Sequence, residues 1–228
     1  MVPFWRRALC LGADGPRCWA QLNRQSVRQT ETVEIAPGIQ ASCWLGLQLD
    51  APGSPDWERA LCILKARIRE RYLEPTSHLI SHERERPASS RKFGFSVMAI
   101  SCLLVETLES FAQGVLDTKG RSESLFMDFL GRQEFAPPFD DRLAKVFYKD
   151  VRCGILHIGE TQRDAQIWSI GPLVKPHGNS IRINRTEFYE QLESYFRNYL
   201  ASLANPAEAE LRTNLRKKMD FIARKSAA

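Results

Sequence analysis

The 228-residue chain has six Cys but no Cys-x-x-Cys pair. Neither a zinc site nor a disulfide framework is expected from thiols at positions 10, 18, 43, 62, 102 and 153, and no cofactor is implied. They read as reduced thiols of a cytoplasmic protein. Long apolar runs are missing too. The longest, Phe95 to Leu108, is interrupted by Ser101 and Glu106 and falls short of the ~18 residues that a membrane span needs, so no membrane partner is expected. Ala8 to Leu11 is too short for the apolar core of a secretory signal. There is no internal repeat and no low-complexity tract.

What is present is a hydrophobic content of 43%, enough for one well-cored domain with some chain left over. The formal charge of +5 and pI near 9.0 favour polyanionic partners. The basic residues are clustered. Lys65, Arg67, Arg69 and Arg71 crowd one expected helix, Arg84, Arg86, Arg91 and Lys92 follow in a loop, and Arg212, Arg216, Lys217, Lys218, Arg224 and Lys225 load the last helix. Such clusters can grip a phosphate backbone, and Arg67, Arg71, Lys217 and Lys218 are the candidate RNA-binding residues. The interleaved Glu70, Glu74, Glu83 and Glu85 keep the plainer reading of a solvated helix face open.

Three regions are expected. Residues 1–50 show no sustained period and read as a loosely ordered extension, with a short strand within Val33 to Leu49. Residues 51–205 form the helical domain, and 206–228 a basic C-terminal helix. After Pro52-Gly53-Ser54-Pro55, Asp56 is the expected cap of a helix through Trp57, Leu61, Leu64, Ile68 and Tyr72, ended by Pro75. Phe95 to Gln113 is the expected central helix, stopped at Gly114. Ser122 is expected to cap the next, before Pro137-Pro138. A further helix from about Asp140 to Ile158 carries Leu143, Phe147, Val151, Ile155 and Ile158 on its apolar side and ends at Gly159. Gln166–Ile170 and Ser180–Ile183 alternate as in a hairpin, and Asn184 with Glu187 makes a capping box for the helix that follows.

Within the helix ending at Gly159 stands Phe147-Tyr148-Lys149-Asp150-Val151-Arg152-Cys153-Gly154-Ile155-Leu156-His157-Ile158-Gly159-Glu160. Arg152 and His157 are five positions apart, preceded by a Phe-Tyr pair and followed by an acid. This string resembles the HEPN superfamily of small helical proteins, many of them metal-independent ribonucleases, whose hallmark is Arg followed after four to six residues by His. Arg71 and His78 match the spacing too, but Pro75 lies between them. The resemblance covers residues 57 to 203 and implies a mainly α, up-and-down helical bundle, here with a small β-hairpin insertion. It also implies a homodimer with a composite site, an RNA substrate, and a toxin or defence setting with an antitoxin or regulatory partner. The superfamily's non-catalytic members imply the alternative, a domain for protein interaction or RNA binding.

Metal-free RNA cleavage needs a base for the 2′-OH proton, an acid for the leaving 5′-oxygen and positive charge on the phosphorane. An imidazole, with a reference pKa of about 6.5, suits the proton transfers, and a guanidinium offers a planar fork to non-bridging oxygens. Arg152 and His157 are thus the candidate catalytic residues, with Glu106, Asp150 and Glu160 as candidates to orient Arg152. On an ideal α-helix the pair would lie about 140° apart, flanking an apolar stripe on which Gly154 would let a second chain approach. Cys153 follows the Arg where HEPN nucleases often have Asn, Asp or His.

Overall fold

The computed structural model describes residues 33–135 and 138–227. Residues 1–32 and Pro137 of the expected Pro-Pro break lie outside the described residues. The fold is mainly α with two small sheets.

The described chain opens with a hairpin, β1 (Glu34–Ala36) and β2 (Ile39–Gln40), turning at Gly38 with φ of 69°. It runs into the short helix α1 (Ala41–Leu45). This stretch, expected to be loose, is packed instead: Ile35, Ala36, Ile39 and Trp44 are buried, and the Trp44 indole donates to Asp220 at 2.7 Å. Period gave no sign of this because the elements are too short to show one.

Helix α2 (Pro55–Ile68) is capped by Ser54, whose Oγ accepts from the Trp57 amide, with Pro55 in the first turn. Asp56, the expected cap, accepts from the Gln48 amide instead. Pro75 does not end the helix. A π-wound turn, π1 (Arg69–Leu73), precedes α3 (Glu74–Glu83), and Pro75 sits in the first turn of α3. The shifted ladder lets the chain continue past a residue with no N–H to give.

Helix α4 (Gly94–Ala112) is the central rod, packed by α5 (Ser122–Leu130), α7 (Arg185–Ala204) and α8 (Ala209–Ala227). By length and composition it could cross a membrane, but 61% of its apolar window is buried inside the fold. Gly114 ends it in the left-handed region. Ser122 is the first residue of α5, not its cap, which is Arg121. Asn184 does cap α7, accepting from the amides of Thr186 and Glu187. Leu215, Met219 and Ala223 of α8 are fully buried, so this basic helix is part of the core.

The expected hairpin is a three-stranded sheet in the order β3-β5-β4. β4 (Val174–His177) and β5 (Ser180–Asn184) form the hairpin around Gly178, whereas β3 (Gln166–Trp168) pairs with β5 in parallel. Pro176 is tolerated because β4 lies at an edge.

Candidate functional site

Helix α6 (Asp141–Val146) is capped by Asp140 and continues without a break into π2 (Phe147–Ile158), which Gly159 ends at φ of 76°. The expected span is found, but the winding is not α. An i→i+5 ladder brings the fifth residue along to the same side of the helix, and five is the spacing of Arg152 and His157. The pair that an α-helix would splay apart is therefore in contact: Arg152 Nη1 lies 3.1 Å from His157 Nε2. Since a guanidinium only donates, Nε2 is the accepting atom of this contact.

Arg152 is buried and His157 exposed. Glu106 of α4 receives the rest of the Arg152 fork, with Nε at 2.6 Å and Nη2 at 2.5 Å. The Tyr148 ring lies 5.4 Å from the guanidinium carbon, a cation–π contact. Cys153 Sγ is 4.0 Å from Nη1. Burial alone would lower the Arg152 pKa, but the Glu106 carboxylate outweighs it and holds the guanidinium above its usual value. Burial also pushes up the Cys102 thiol and the Tyr148 hydroxyl.

Of the three acids expected to orient Arg152, Glu106 alone reaches it. Asp150 is buried and turned the other way, accepting from Arg163 at 2.7 Å and from Ser180 Oγ. Glu160 is exposed and accepts from the Thr161 amide. Glu160 belongs to the return loop after the motif, and Asp150 fastens that loop from within the helix. Gly154 serves this loop as well: a Cβ there would lie 2.4 Å from the Glu160 carbonyl oxygen. Its bare surface is filled by the chain's own backbone, so it is not open to a second helix. Ile155 is half-buried, and Ile158 at the end of the apolar stripe is 67% exposed.

Glu106 also lines a cavity of about 270 Å³ between α2, α4 and α8, together with Arg67, Tyr72, Thr107, Ser110 and Lys218. Two of the four candidate RNA-binding residues, Arg67 and Lys218, line it, and Arg71 stands near Arg67. Arg67 donates to the Ile35 carbonyl, Arg71 to that of Glu34, and Lys218 to that of Leu116. Burial, followed by the neighbouring Arg71, lowers the Arg67 pKa to about 10, and burial with Arg67 lowers that of Lys218. Among the described residues, no carboxylate forms an ion pair with any of the three. Lys217 lies elsewhere, against Asp220, Phe221 and Arg224. The second Arg and His match is not a pair, because Arg71 is committed to Glu34.

No family model, no curated protein and no solved structure matches this chain. Its chemistry has to be argued from its own side chains. Among the described residues no group of three His, Cys, Asp or Glu is placed to hold a metal ion. Sequence reasoning found Arg152, His157 and Glu106. It missed Tyr148 as a contact of Arg152, although the Phe-Tyr pair was in view and i,i+4 residues are neighbours on any helix. It also left Glu83 among solvated charges, whereas Glu83 is fully buried.

Proposed function

We propose that this chain is a HEPN-like, metal-independent endoribonuclease in which Arg152 and His157 act on the scissile phosphate. The observation that carries the reading is the 3.1 Å contact between a guanidinium anchored by Glu106 and an exposed imidazole. Glu106 takes Nε and Nη2, which leaves Nη1 toward His157 and the surface. A phosphate entering between the two would accept from Nη1 through a non-bridging oxygen, freeing Nε2 for proton transfer.

In the reaction the 2′-oxygen attacks phosphorus as a base takes its proton, the bond from phosphorus to the 5′-oxygen breaks, and an acid protonates that oxygen. The products are a 2′,3′-cyclic phosphate and a free 5′-hydroxyl. One chain has one such His, so base and acid are supplied by two copies in a homodimer. The HEPN-like bundle, the toxin or defence setting and an antitoxin partner belong to this same proposal. Arg67, Arg71 and Lys218, which form no ion pair among the described residues, supply affinity for the RNA backbone.

The purified protein, incubated with structured RNA in EDTA beside His157→Ala, tests this. Wild type is expected to release ends bearing 2′,3′-cyclic phosphate, and the variant none while its folding is unchanged. Equal cleavage by both would sink the proposal. A second reading rests on Glu106 itself, which takes up the Arg152 charge as a non-catalytic interaction domain could afford to do. On that reading neither protein cuts, and His157→Ala weakens self-association.

A further inference from the structure

A second cavity, of about 340 Å³, lies at the opposite end of α4 from Glu106. Its walls come from Arg91, from Gly94 at the first position of α4, from Ile167, Trp168 and Ile170 in and beyond β3, and from Arg185 at the start of α7. Both charged residues on this wall are cations. Arg185 is 2% exposed; its Nη2 donates to Glu83 at 2.6 Å, while its Nη1 is buried and finds no acceptor among the described residues. A buried cationic donor left unmatched is costly, and folds seldom keep one without a use.

The end of α4 adds to this. It has no side-chain cap and no acid in its first turn, so no side chain of the helix itself meets its leading amides. Glu83 accepts from the amides of Lys92 and Phe93, just before the helix. Arg91 spends its donors on the carbonyls of Arg84, Arg86 and Ser169 and on the Ser169 hydroxyl, and meets no carboxylate among the described residues. The opposite wall is apolar: Trp168 is 37% exposed and Ile170 50%. Arg182, which is not on the cavity wall, lies 3.8 Å from the Trp168 ring centre and steadies it.

We infer that this cavity binds a small organic anion, with a phosphate or carboxylate at the start of α4 beside Arg185 and a flat apolar group against Trp168 and Ile170. Its volume suits a small molecule. An oxyanion would satisfy the orphan Nη1, and an aromatic group would cover the exposed indole. The inference is independent of the chemistry at Arg152 and His157.

Calorimetric titration of the full chain with AMP, adenosine, inorganic phosphate and indole-3-acetate tests it. AMP is expected to bind more tightly than adenosine or phosphate alone, and indole-3-acetate shows whether a carboxylate serves as well. Trp168→Leu is expected to weaken AMP about tenfold or more through lost stacking while leaving phosphate unchanged. Ile170→Glu, which sets a like charge at the rim, weakens every anion. His157→Ala changes none of these affinities. Absence of saturable binding by all four probes overturns the inference, as does AMP affinity untouched by both wall variants. Binding confined to a 5′-phosphorylated RNA, without AMP, overturns it in favour of a nucleic-acid contact.

Discussion

At the scale of single residues, Glu106 has the heaviest task, because it neutralises a buried Arg and aims that Arg's remaining nitrogen at His157. Glu106→Gln is expected to cost about 3–5 kcal/mol in urea unfolding, since it strands a cation. Replacing both partners, as in Glu106→Leu with Arg152→Met, removes both charges and restores most of that stability while cleavage stays absent; a double variant as unstable as the single would refute the pairing. Glu83 offers a separate test through pH. Burial pushes its carboxyl up, but the amides of Lys92 and Phe93 and the Arg185 guanidinium outweigh burial and hold it below its ordinary value. A depressed folded pKa means that the stabilisation is complete above about pH 4.5 and is lost as pH falls through the folded value. Unfolding midpoints of Glu83→Gln should lie below wild type at neutral pH and converge with it in acid. The pairing of Glu106 was legible in the sequence, because an acid inside an apolar helical pattern demands a partner. The burial of Glu83 was not, because Arg185 lies far along the chain and no local pattern links them.

Elements raise a different question, that of winding. The bounds of the motif helix could be read from Asp140 and Gly159, yet its pitch could not, because a hydrophobic stripe sampled over three turns fits either ladder. The pitch decides the site, since it sets which residue stands beside Arg152. Moving the imidazole by one place, as in Leu156→His with His157→Leu, puts it at α-helical spacing and takes it off the position that meets Arg152 Nη1. This swap is expected to lower cleavage at least about 100-fold while stability changes by about 1 kcal/mol or less. Cleavage at the wild-type rate would show that the winding is irrelevant to the chemistry. Pro75 gives the same lesson: its power to break a helix was correctly stated, but π1 just before it absorbs the missing donor.

For the whole molecule, the decisive property is whether two chains complete one another. If the active unit is a dimer with a composite site, mixing inactive Arg152→Ala with inactive His157→Ala creates heterodimers in which one interface can hold an intact Arg and an intact His. Recovery of part of the wild-type rate is expected after the mixture is allowed to exchange, and a mixture as dead as its parents would argue for a self-contained site in each chain. The mainly helical architecture was legible from period, and so was the central place of α4. The inclusion of residues 33–50 and of α8 in the core was not, because burial there depends on distant partners such as Trp44 and Asp220.

The clamp on Asp150 also has a meaning in time. Arg152 and His157 are translated before Ser180 and β5, so a chain still being synthesised exposes the pair before it owns the hydroxyl and the strand that fasten the return loop. On the ribonuclease reading the cutting edge is finished only when the chain has grown past Asn184, which delays its activity beside the RNA of the ribosome that makes it.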